Sequence, residues 1–229
     1  SINYFHWICD ILPKLYIKKK YISKKDFIIL PQYKTLFQKK SLKLLGFKNL
    51  FFLKKNIKVD NIKYIGELYP SGNPRPRILK KMRNDLISKF NIKKKDRKIY
   101  VSRKKAGRRS LKNEAYFERE LANYGIETVY FEKMSFNDQV KISASSKLMI
   151  GVQGAGLINL IWMNKDSNLI DIRPKNDISV NPFFSISQIF NINYYYHFSS
   201  YDDFFFNTTN SNYKINFKSF FKKFQHLLK

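Results

Sequence analysis

The second half of the chain alternates short apolar runs with amphipathic segments. The apolar runs predict buried strands, whereas the amphipathic segments have the spacing of helices. The predicted strands are Ile99–Val101, Thr128–Phe131, Leu148–Val152 and Leu169–Ile172, and the predicted helices are Glu114–Tyr124, Asn137–Ser145 and Leu157–Trp162. Strands separated by helices at such intervals indicate parallel βαβ units with right-handed crossovers, so we predict a Rossmann-like domain here.

The first half has a less regular pattern. Helical spacing of apolar residues predicts helices at Tyr4–Lys18, Tyr33–Leu45 and Ile78–Phe90, and short apolar runs predict strands at Asp26–Leu30, Leu50–Leu53 and Lys63–Leu68. Gly46 follows the second helix at a position that favours a left-handed cap. The segment Pro70–Pro76, with the sequence PSGNPRP, is the clearest break in the chain because it is rich in turn-forming residues.

These patterns predict an α/β protein with three parts. We place an N-terminal lobe at residues 1–92, a C-terminal lobe at 93–200 and a tail at 201–229 that contains a closing helix. Because Ser1 already lies inside a patterned segment, we expect the N-terminal lobe to be incomplete at its start. Ligands of open parallel sheets sit beyond the carboxyl ends of the strands, and we expect the functional residues there.

Net charge bears on the choice of partner. The 229 residues include 44 Lys and Arg against 17 Asp and Glu, which gives a formal net charge of +27. Neutralisation of phosphates drives nucleic-acid binding, but the lysines here recur along the whole chain and form no dense stripe. Their abundance, with that of Ile, Asn, Phe and Tyr, is what AT-rich codons would produce. We therefore expect no specific nucleic-acid partner, and at most an attraction to an anionic membrane or glycan.

Cysteine content and hydropathy bear on location. The single cysteine, Cys9, cannot form a disulfide framework and is compatible with a reducing compartment. The longest apolar run, Leu148–Met163, is shorter than the ~20 residues that span a bilayer, and it contains polar residues and three glycines. We therefore predict a cytoplasmic protein whose membrane contact, if it has any, is peripheral at the inner face.

Two strand-to-helix turns carry the clearest chemistry. The first, in KIYVSRKKAGRRSLKNE, offers Arg103, Arg108 and Arg109. The second, in LMIGVQGAGLINLIWM, offers Gly154 and Gly156, whose backbone N–H groups stand at a helix start. Arginine supplies a planar, permanently charged fork for phosphate oxygens, and a helix N-terminus favours anions. Each signal is common by itself, but together at adjacent strand ends they predict a clamp for a diphosphate.

Four segments of the chain carry a recognisable combination of motifs. They are NYFHWICDILPKL, YVSRKKAGRRSLKNE, SFNDQVKISASSKLMIGVQGAGLINLIWM and NLIDIRP. In order and spacing, from about Asn3 to His197, they resemble glycosyltransferase family 61, which includes many capsular polysaccharide biosynthesis proteins. The resemblance implies a GT-B architecture, with two Rossmann-like lobes, parallel sheets and an interlobe cleft. It makes residues 1–92 the acceptor-side lobe and 93–200 the nucleotide-sugar-binding lobe, with the closing helix of the tail packed back across both lobes. It also implies inverting transfer of a hexosyl or pentosyl group from a nucleotide-sugar donor to a glycan or lipid-linked glycan acceptor, in surface or capsular polysaccharide biosynthesis.

The resemblance also implies donor-binding roles for single residues. Arg103 and Arg109 match the family's paired arginines and would bind the donor phosphates. Asp171 falls where an acidic residue usually closes the next strand, and its carboxylate could accept hydrogen bonds from ribose hydroxyls. Where many members have His before Gly-Ala-Gly, this chain has Gln153, which can bind a diphosphate or base but cannot carry a proton charge. The other matching positions are Asn113, Glu114, Gln139, Gly154, Ala155, Gly156 and Asn159.

His6 and Asp10 are the candidate catalytic residues. They lie four residues apart on the first predicted helix, so they share a face and could share a site. An inverting transfer needs a group to take the proton of the acceptor hydroxyl, and His, with an unperturbed pKa of about 6.5, is suited to this. Asp10 could orient His6 or act itself. The alternative is that His6 packs beside Trp7 and Asp10 is a solvated helix residue.

The sequence predicts no metal site and no cofactor apart from the nucleotide-sugar substrate. It has no Asp-x-Asp motif, and neither His197 nor His226 has a Cys or carboxylate at ligand spacing. The absence of GxGxxG argues against a dinucleotide oxidoreductase. A second class of function stays open, a non-catalytic basic module that binds nucleic acid or anionic glycan on a transferase-like fold. Gln153, in the position of the family's histidine, favours this alternative.

Overall fold

The computed structural model describes residues 3–32, 36–66, 68–93, 96–106, 109–175, 177, 181–201 and 213–229. The chain divides into two compact units, Ser1–Asn91 (unit 1) and Ile92–Lys229 (unit 2). Each unit has its own sheet with parallel strands, and the larger sheet belongs to unit 2. The predicted α/β class is confirmed by this mixture of helices and parallel strands.

Unit 1 begins with a helix of changing pitch, made of α1 (Tyr4–His6), a π-helical segment (Trp7–Ile11), α2 (Leu12–Lys18) and a 3-10 turn (Lys19–Tyr21). The extent of the predicted helix is confirmed, but its π-helical segment was not predicted. Pro13 has no N–H to donate to the carbonyl of Cys9, four residues earlier. The hydroxyl of Tyr69 donates to that carbonyl instead, at 2.7 Å, so the irregular helix has no orphan carbonyl at this point.

The rest of unit 1 consists of β1 (Ile28–Pro31), α3 (Phe37–Leu44), β2 (Leu50–Leu53) and α4 (Pro76–Ile87). The two strands are parallel and in register from Ile28 opposite Leu50. Gly46 has a φ of 80°, which confirms the left-handed cap predicted after α3. The strand predicted at Lys63–Leu68 is wrong for the residues described there, because 63–66 have no regular structure and most of their side chains face solvent.

The sheet of unit 2 has the order β4-β3-β5-β6-β7-β8. Its strands are β3 (Arg97–Val101), β4 (Glu127–Val129), β5 (Ser146–Val152), β6 (Asn168–Pro174), β7 (Asn193–Tyr201) and β8 (Tyr213–Lys214). The first five strands in this order are parallel to one another, and β8 is antiparallel to β7. The predicted parallel sheet is therefore confirmed, and the carboxyl ends of β3 and β5 lie side by side.

The helices of unit 2 are α5 (Glu114–Ala122), α6 (Phe136–Ala144), α7 (Pro182–Ile189) and α8 (Phe217–Leu228), with 3-10 helices at Phe131–Lys133 and Ala155–Trp162. The closing helix expected in the tail is α8, and its Phe220, Phe224 and Leu228 belong to the same buried cluster as Ile150 and Ile170 of the sheet. Its predicted packing across the lobes stays a prediction. We did not predict α7 or β7.

The segment after Gly154 is wound more tightly than predicted, as a 3-10 helix over Ala155–Trp162. The side chain of Asn159 donates to the carbonyl of Gly156 at 3.1 Å, and this carbonyl is the acceptor that an α-helix would assign to the N–H of Leu160. The competition favours the tighter turn. All side chains from Leu157 to Trp162 are buried, so the segment works as a connection inside the core.

Candidate functional site

The two predicted turns meet at Arg103 and Gly154. Arg103 follows β3 and Gly154 follows β5, and these strands are neighbours in the sheet. A Cβ built on Gly154 would lie 1.9 Å from Nη1 of Arg103 and 2.7 Å from its Cζ. The φ of Gly154 is 168°, an extended value open to any residue, so glycine is required here for space and not for backbone conformation. The guanidinium therefore rests directly on the glycine turn.

Glu114 fixes the backbone from which the Arg103 side chain extends. It is the first residue of α5 and is buried, and its Oε1 accepts from the hydroxyl of Tyr100 at 2.8 Å and the hydroxyl of Ser102 at 2.7 Å. The same oxygen accepts from the backbone N–H of Arg103 at 3.3 Å. Burial, together with the adjacent Glu114 carboxylate, raises the pKa of Tyr100. Three donors on one oxygen explain how a carboxylate is kept in the interior, and they fix the start of the arginine turn.

Arg109 and Asn113 lie at the far end of the same loop. Arg109 has a φ of 56°, in the left-handed region that residues with a Cβ rarely adopt, and such strain is concentrated at functional sites. The Asn113 side chain pairs with the backbone of Ile215, donating to its carbonyl at 3.0 Å and accepting from its N–H at 3.4 Å. Asn113 thus ties the loop to the segment before α8. Arg108 lies outside the described residues.

Gln139 and Asn159 form a buried amide pair beneath the glycine turn. The Nδ2 of Asn159 donates to Oε1 of Gln139 at 3.1 Å, and its Oδ1 accepts from the indole N–H of Trp162 at 3.0 Å. Gln139 in turn donates to the carbonyls of Phe131 at 3.0 Å and Met134 at 3.3 Å. The pair joins α6 to the 3-10 helix, so its effect on a ligand at the turn would pass through the backbone.

Gln153, Ala155 and Gly156 are the partly exposed residues of the turn. The backbone N–H of Gln153 donates to the carbonyl of Ile172 at 2.9 Å, which continues the pairing of β5 with β6 by one residue. Within the part of the chain that the structure describes, no hydrogen bond uses the Gln153 side-chain amide. This amide is therefore placed beside Gly154 with its donor and acceptor groups available to a ligand.

Asp171 sits in a buried charged group in the middle of β6. It is fully buried, its Oδ2 accepts from the hydroxyl of Tyr194 at 2.8 Å, and Nη1 of Arg173 lies 3.6 Å from the same oxygen. Arg173 also donates from Nη2 to Asp177 at 2.6 Å, and Asn181 donates to the Tyr194 hydroxyl at 2.8 Å. Burial raises the pKa of Asp171 to about 7, although the Tyr194 hydrogen bond and the Arg173 charge oppose the shift.

This environment affects the predicted ribose contact. Because Asp171 is fully covered, a ribose hydroxyl could reach it only if the covering side chains moved. The contact stays a prediction. Sequence reasoning did not find Arg173 or Tyr194, although the spacing of Asp171 and Arg173, two residues apart in a strand, places both side chains on one face of the sheet.

His6 and Asp10 form a hydrogen-bonded pair in unit 1. Nδ1 of His6 lies 2.8 Å from Oδ2 of Asp10, and 51% of the His6 side chain is exposed. Asp10 is buried, and its Oδ2 also accepts from the hydroxyl of Ser71 at 2.6 Å while its Oδ1 accepts from the backbone N–H of Gly72 at 2.9 Å. The alternative in which Asp10 is a solvated helix residue is wrong, because both of its oxygens are held by other groups.

Within the described ranges, no three His, Cys, Asp or Glu side chains are grouped so that they could hold a metal ion. The helices in the same ranges include none that is long and apolar enough to cross a membrane.

The parallel α/β sheet, with its polar turns at the carboxyl ends of neighbouring strands, fits the fold of an α/β glycosyltransferase. The sequence matches the family model for Glycosyltransferase 61 over residues 4–170, which is most of the chain. The protein therefore belongs to glycosyltransferase family 61, and the resemblance seen in the sequence motifs is confirmed. Membership implies transfer of a sugar from a donor to a glycan acceptor in general. No curated protein matches the chain.

Proposed function

We propose that the protein is an inverting glycosyltransferase that moves a hexosyl or pentosyl group from a nucleotide-sugar donor to a glycan or lipid-linked glycan acceptor. The observation that carries the donor half of this proposal is the contact of Arg103 with Gly154 at adjacent strand ends. In an open parallel sheet this edge is where a nucleotide ligand is expected. The role that we infer is in the biosynthesis of a surface or capsular polysaccharide.

The proposed donor site uses charge and backbone donors together. Arg103 and Arg109 would bind the diphosphate oxygens, and the N–H groups at the start of the 3-10 helix after Gly154 would approach the same oxygens. The amide of Gln153 would hydrogen-bond the diphosphate or the base. When the bond between the sugar and the diphosphate breaks, negative charge gathers on the leaving group, so fixed positive groups there lower the barrier.

The proposed base is Nε2 of His6. Because Nδ1 faces the Asp10 carboxylate, a proton on Nδ1 leaves the lone pair at Nε2, on a half-exposed ring. As the acceptor oxygen attacks the anomeric carbon and the carbon–diphosphate bond breaks, the hydroxyl proton would pass to Nε2. Asp10 is less suited to take the proton itself, since both of its oxygens already accept hydrogen bonds. Such a base accelerates transfer by ~10²–10⁴-fold.

The proposal includes three expectations of wider scope. The architecture is of the GT-B kind, with acceptor groups from unit 1 and donor groups from unit 2. The location is cytoplasmic. Peripheral contact with an anionic membrane is supported by exposed lysines next to exposed apolar residues in unit 1, such as Lys54 and Lys55 near Phe51.

The test combines donor binding with transfer. UDP-, GDP- and CMP-sugars are titrated while thermal unfolding is followed, and the cognate donor at 100 times its Kd should stabilise the protein by about 2.7 kcal/mol. Transfer to an acceptor should fall ~10²–10⁴-fold in His6→Ala. His226→Ala, which changes an exposed histidine on α8, is the matched control and should retain full activity.

The alternative is the non-catalytic basic module, which Gln153 favours because the family's usual histidine is absent from the glycine motif. It predicts that none of the three donors shifts the unfolding temperature, and that nucleic acid or an anionic glycan binds tightly with a steep salt dependence. That pair of results would overturn the proposed transferase.

A further inference from the structure

The turn at Pro70–Asn73 belongs to the PSGNPRP segment, to which the proposed function gives no role. The N–H of Asn73 donates to the carbonyl of Pro70 at 3.0 Å, and Gly72 has a φ of 76°. A hydrogen bond across four residues with a positive φ at the third is the pattern of a type II β-turn, which needs Gly or Asn at that position. The local sequence Pro-Ser-Gly-Asn therefore specifies a rigid turn.

This turn donates a hydrogen bond to each oxygen of the Asp10 carboxylate. The backbone N–H of Gly72 donates to Oδ1 at 2.9 Å, and the hydroxyl of Ser71 donates to Oδ2 at 2.6 Å. Hydrogen bonds to an ionised carboxylate are among the stronger ones in proteins. Because two consecutive residues of a rigid turn hold the two oxygens, the carboxylate has a fixed rotation with respect to His6.

A second contact anchors the turn to the same helix. The hydroxyl of Tyr69, the residue before the turn, donates to the carbonyl of Cys9, the residue before Asp10, at 2.7 Å. Tyr69 is buried, and burial raises the pKa of its hydroxyl, so it remains a donor. The turn and the π-helical segment are thus joined at two successive positions, and the carboxylate cannot move independently of the turn.

The direction of the Ser71 hydroxyl bears on the tautomer of His6. Ser71 has a single hydroxyl proton, and its shorter contact, 2.6 Å, is to the acceptor-only carboxylate of Asp10. Oγ of Ser71 also lies 3.1 Å from Nδ1 of His6, and while its O–H donates to Asp10 it can only accept there. Nδ1 therefore faces two acceptors, Oγ of Ser71 and Oδ2 of Asp10, and must carry a proton itself.

We propose that Ser71 is a positioning residue, which keeps the His6 proton on Nδ1 and the lone pair on Nε2 by fixing the Asp10 carboxylate. The inference rests on the proposed role of His6 as the base, and it assigns a function to the Pro70–Asn73 turn. The other hydrogen bond to the Asp10 carboxylate comes from the backbone N–H of Gly72, which a side-chain replacement at Ser71 does not remove. Variants of Ser71 therefore test the contribution of its hydroxyl alone.

The experiment reads the tautomer directly, without activity. Imidazole nitrogens of His6 are followed by ¹⁵N NMR in the wild type, Ser71→Ala and Ser71→Thr. We expect the Nδ1-protonated tautomer to dominate in the wild type and in Ser71→Thr, which retains the hydroxyl, and to lose population in Ser71→Ala. Ser88→Ala removes an exposed hydroxyl that donates to the carbonyl of Asp85, so it is the matched control.

Kinetics then separate the two proposals. With the hydroxyl lost, kcat should fall ~10-fold, the effect of one hydrogen bond of about 1.4 kcal/mol, while KM for the donor stays unchanged. An unchanged tautomer population in Ser71→Ala would overturn the positioning role, whatever the activity. Full activity of His6→Ala would instead overturn the proposed base, and the NMR result would still decide what Ser71 does to the ring.

Discussion

The guanidinium of Arg103 occupies the space that a side chain at Gly154 would need. Each residue therefore restricts the other, although they come from turns about fifty residues apart in the chain. The arginine needs a glycine beneath it, and the glycine turn has a positive charge held over it. The contact makes the two motifs one structural element at the edge of the sheet.

Replacing Gly154 with Ala should displace the arginine without unfolding unit 2. The added Cβ meets the end of a flexible side chain, and the extended backbone accepts alanine, so the fold should persist. Donor affinity, measured by calorimetry, should fall tenfold or more, which is ~1.4 kcal/mol. Gly66→Ala is the control, because among the described residues its Cβ would meet Tyr64 at an ordinary contact distance of 3.8 Å. Wild-type affinity in Gly154→Ala would contradict the proposed clamp.

The positive charge of Arg103 should strengthen donor binding because of its position at the glycine turn, and not only because it adds to the net charge. In Arg103→Ala we expect donor affinity to fall at least tenfold, since a hydrogen bond to a charged group contributes ~1.5–3 kcal/mol. Arg119→Ala removes the same charge from an exposed side chain on α5 and should leave donor binding intact. Equal losses in both variants would show that the overall positive charge, and not the clamp, accounts for binding.

The buried amide pair should contribute to stability more than to chemistry. Asn159→Leu removes the acceptor of the Trp162 indole N–H and the donor to Gln139, and buried groups that lose their partners cost ~1–3 kcal/mol each. The free energy of unfolding in urea should fall by ~2–4 kcal/mol. Asn123→Leu, on an exposed side chain, should stay within ~0.5 kcal/mol. A loss below ~1 kcal/mol in Asn159→Leu would contradict the network.

Asp171 should make stability depend on pH between about 4 and 7. Because its folded pKa is raised to about 7, the folded state holds a proton that the unfolded chain releases above pH ~4. Its contribution to the free energy of unfolding is therefore fully present below pH ~4 and is lost as the pH rises through about 7.

Denaturation at several pH values checks this expectation. The slope of the unfolding free energy against pH should be flatter in Asp171→Asn than in the wild type, by up to ~1.4 kcal/mol per pH unit. Asp60→Asn, at an exposed position, is the matched control. Identical slopes for the wild type and Asp171→Asn would mean that the carboxyl is ionised throughout this range.

Much of unit 2 could be predicted because its central strands are buried on both faces. Strand β5 appears in the sequence as an almost continuous apolar run, and β6 contains the run LIDI, which only Asp171 interrupts; parallel sheets covered by helices require such largely apolar strands. Strand β7 could not be predicted in this way. Its sequence, NYYYHFSSY, mixes aromatic and polar residues. In the structure the aromatic Tyr196 and Phe198 are exposed while His197 is buried, which is the reverse of what hydropathy would predict. Without knowledge of the neighbouring strand, such a mixed sequence does not distinguish a strand of the sheet from an irregular tail.

The candidate site divides in the same manner. The pairing of His6 with Asp10 follows from helix geometry, and the contact of Arg103 with Gly154 follows from the order of parallel strands. The hydrogen bond from Ser71 to Asp10 joins residues that are 61 positions apart in the chain, and no local sequence pattern predicts it. The covered position of Asp171 was equally hidden, because it depends on Tyr194 from a strand that was not predicted.

The position of Cys9 has a practical consequence. It is the single thiol of the chain, it is fully buried, and burial raises its pKa, so reagents for thiolates will find it unreactive while the helix stays closed. Its own carbonyl is the group that Tyr69 caps, and the next residue is Asp10. The rate at which a thiol reagent labels Cys9 in the intact protein therefore measures how often the helix that carries His6 opens. No probe has to be added to the native chain for this measurement.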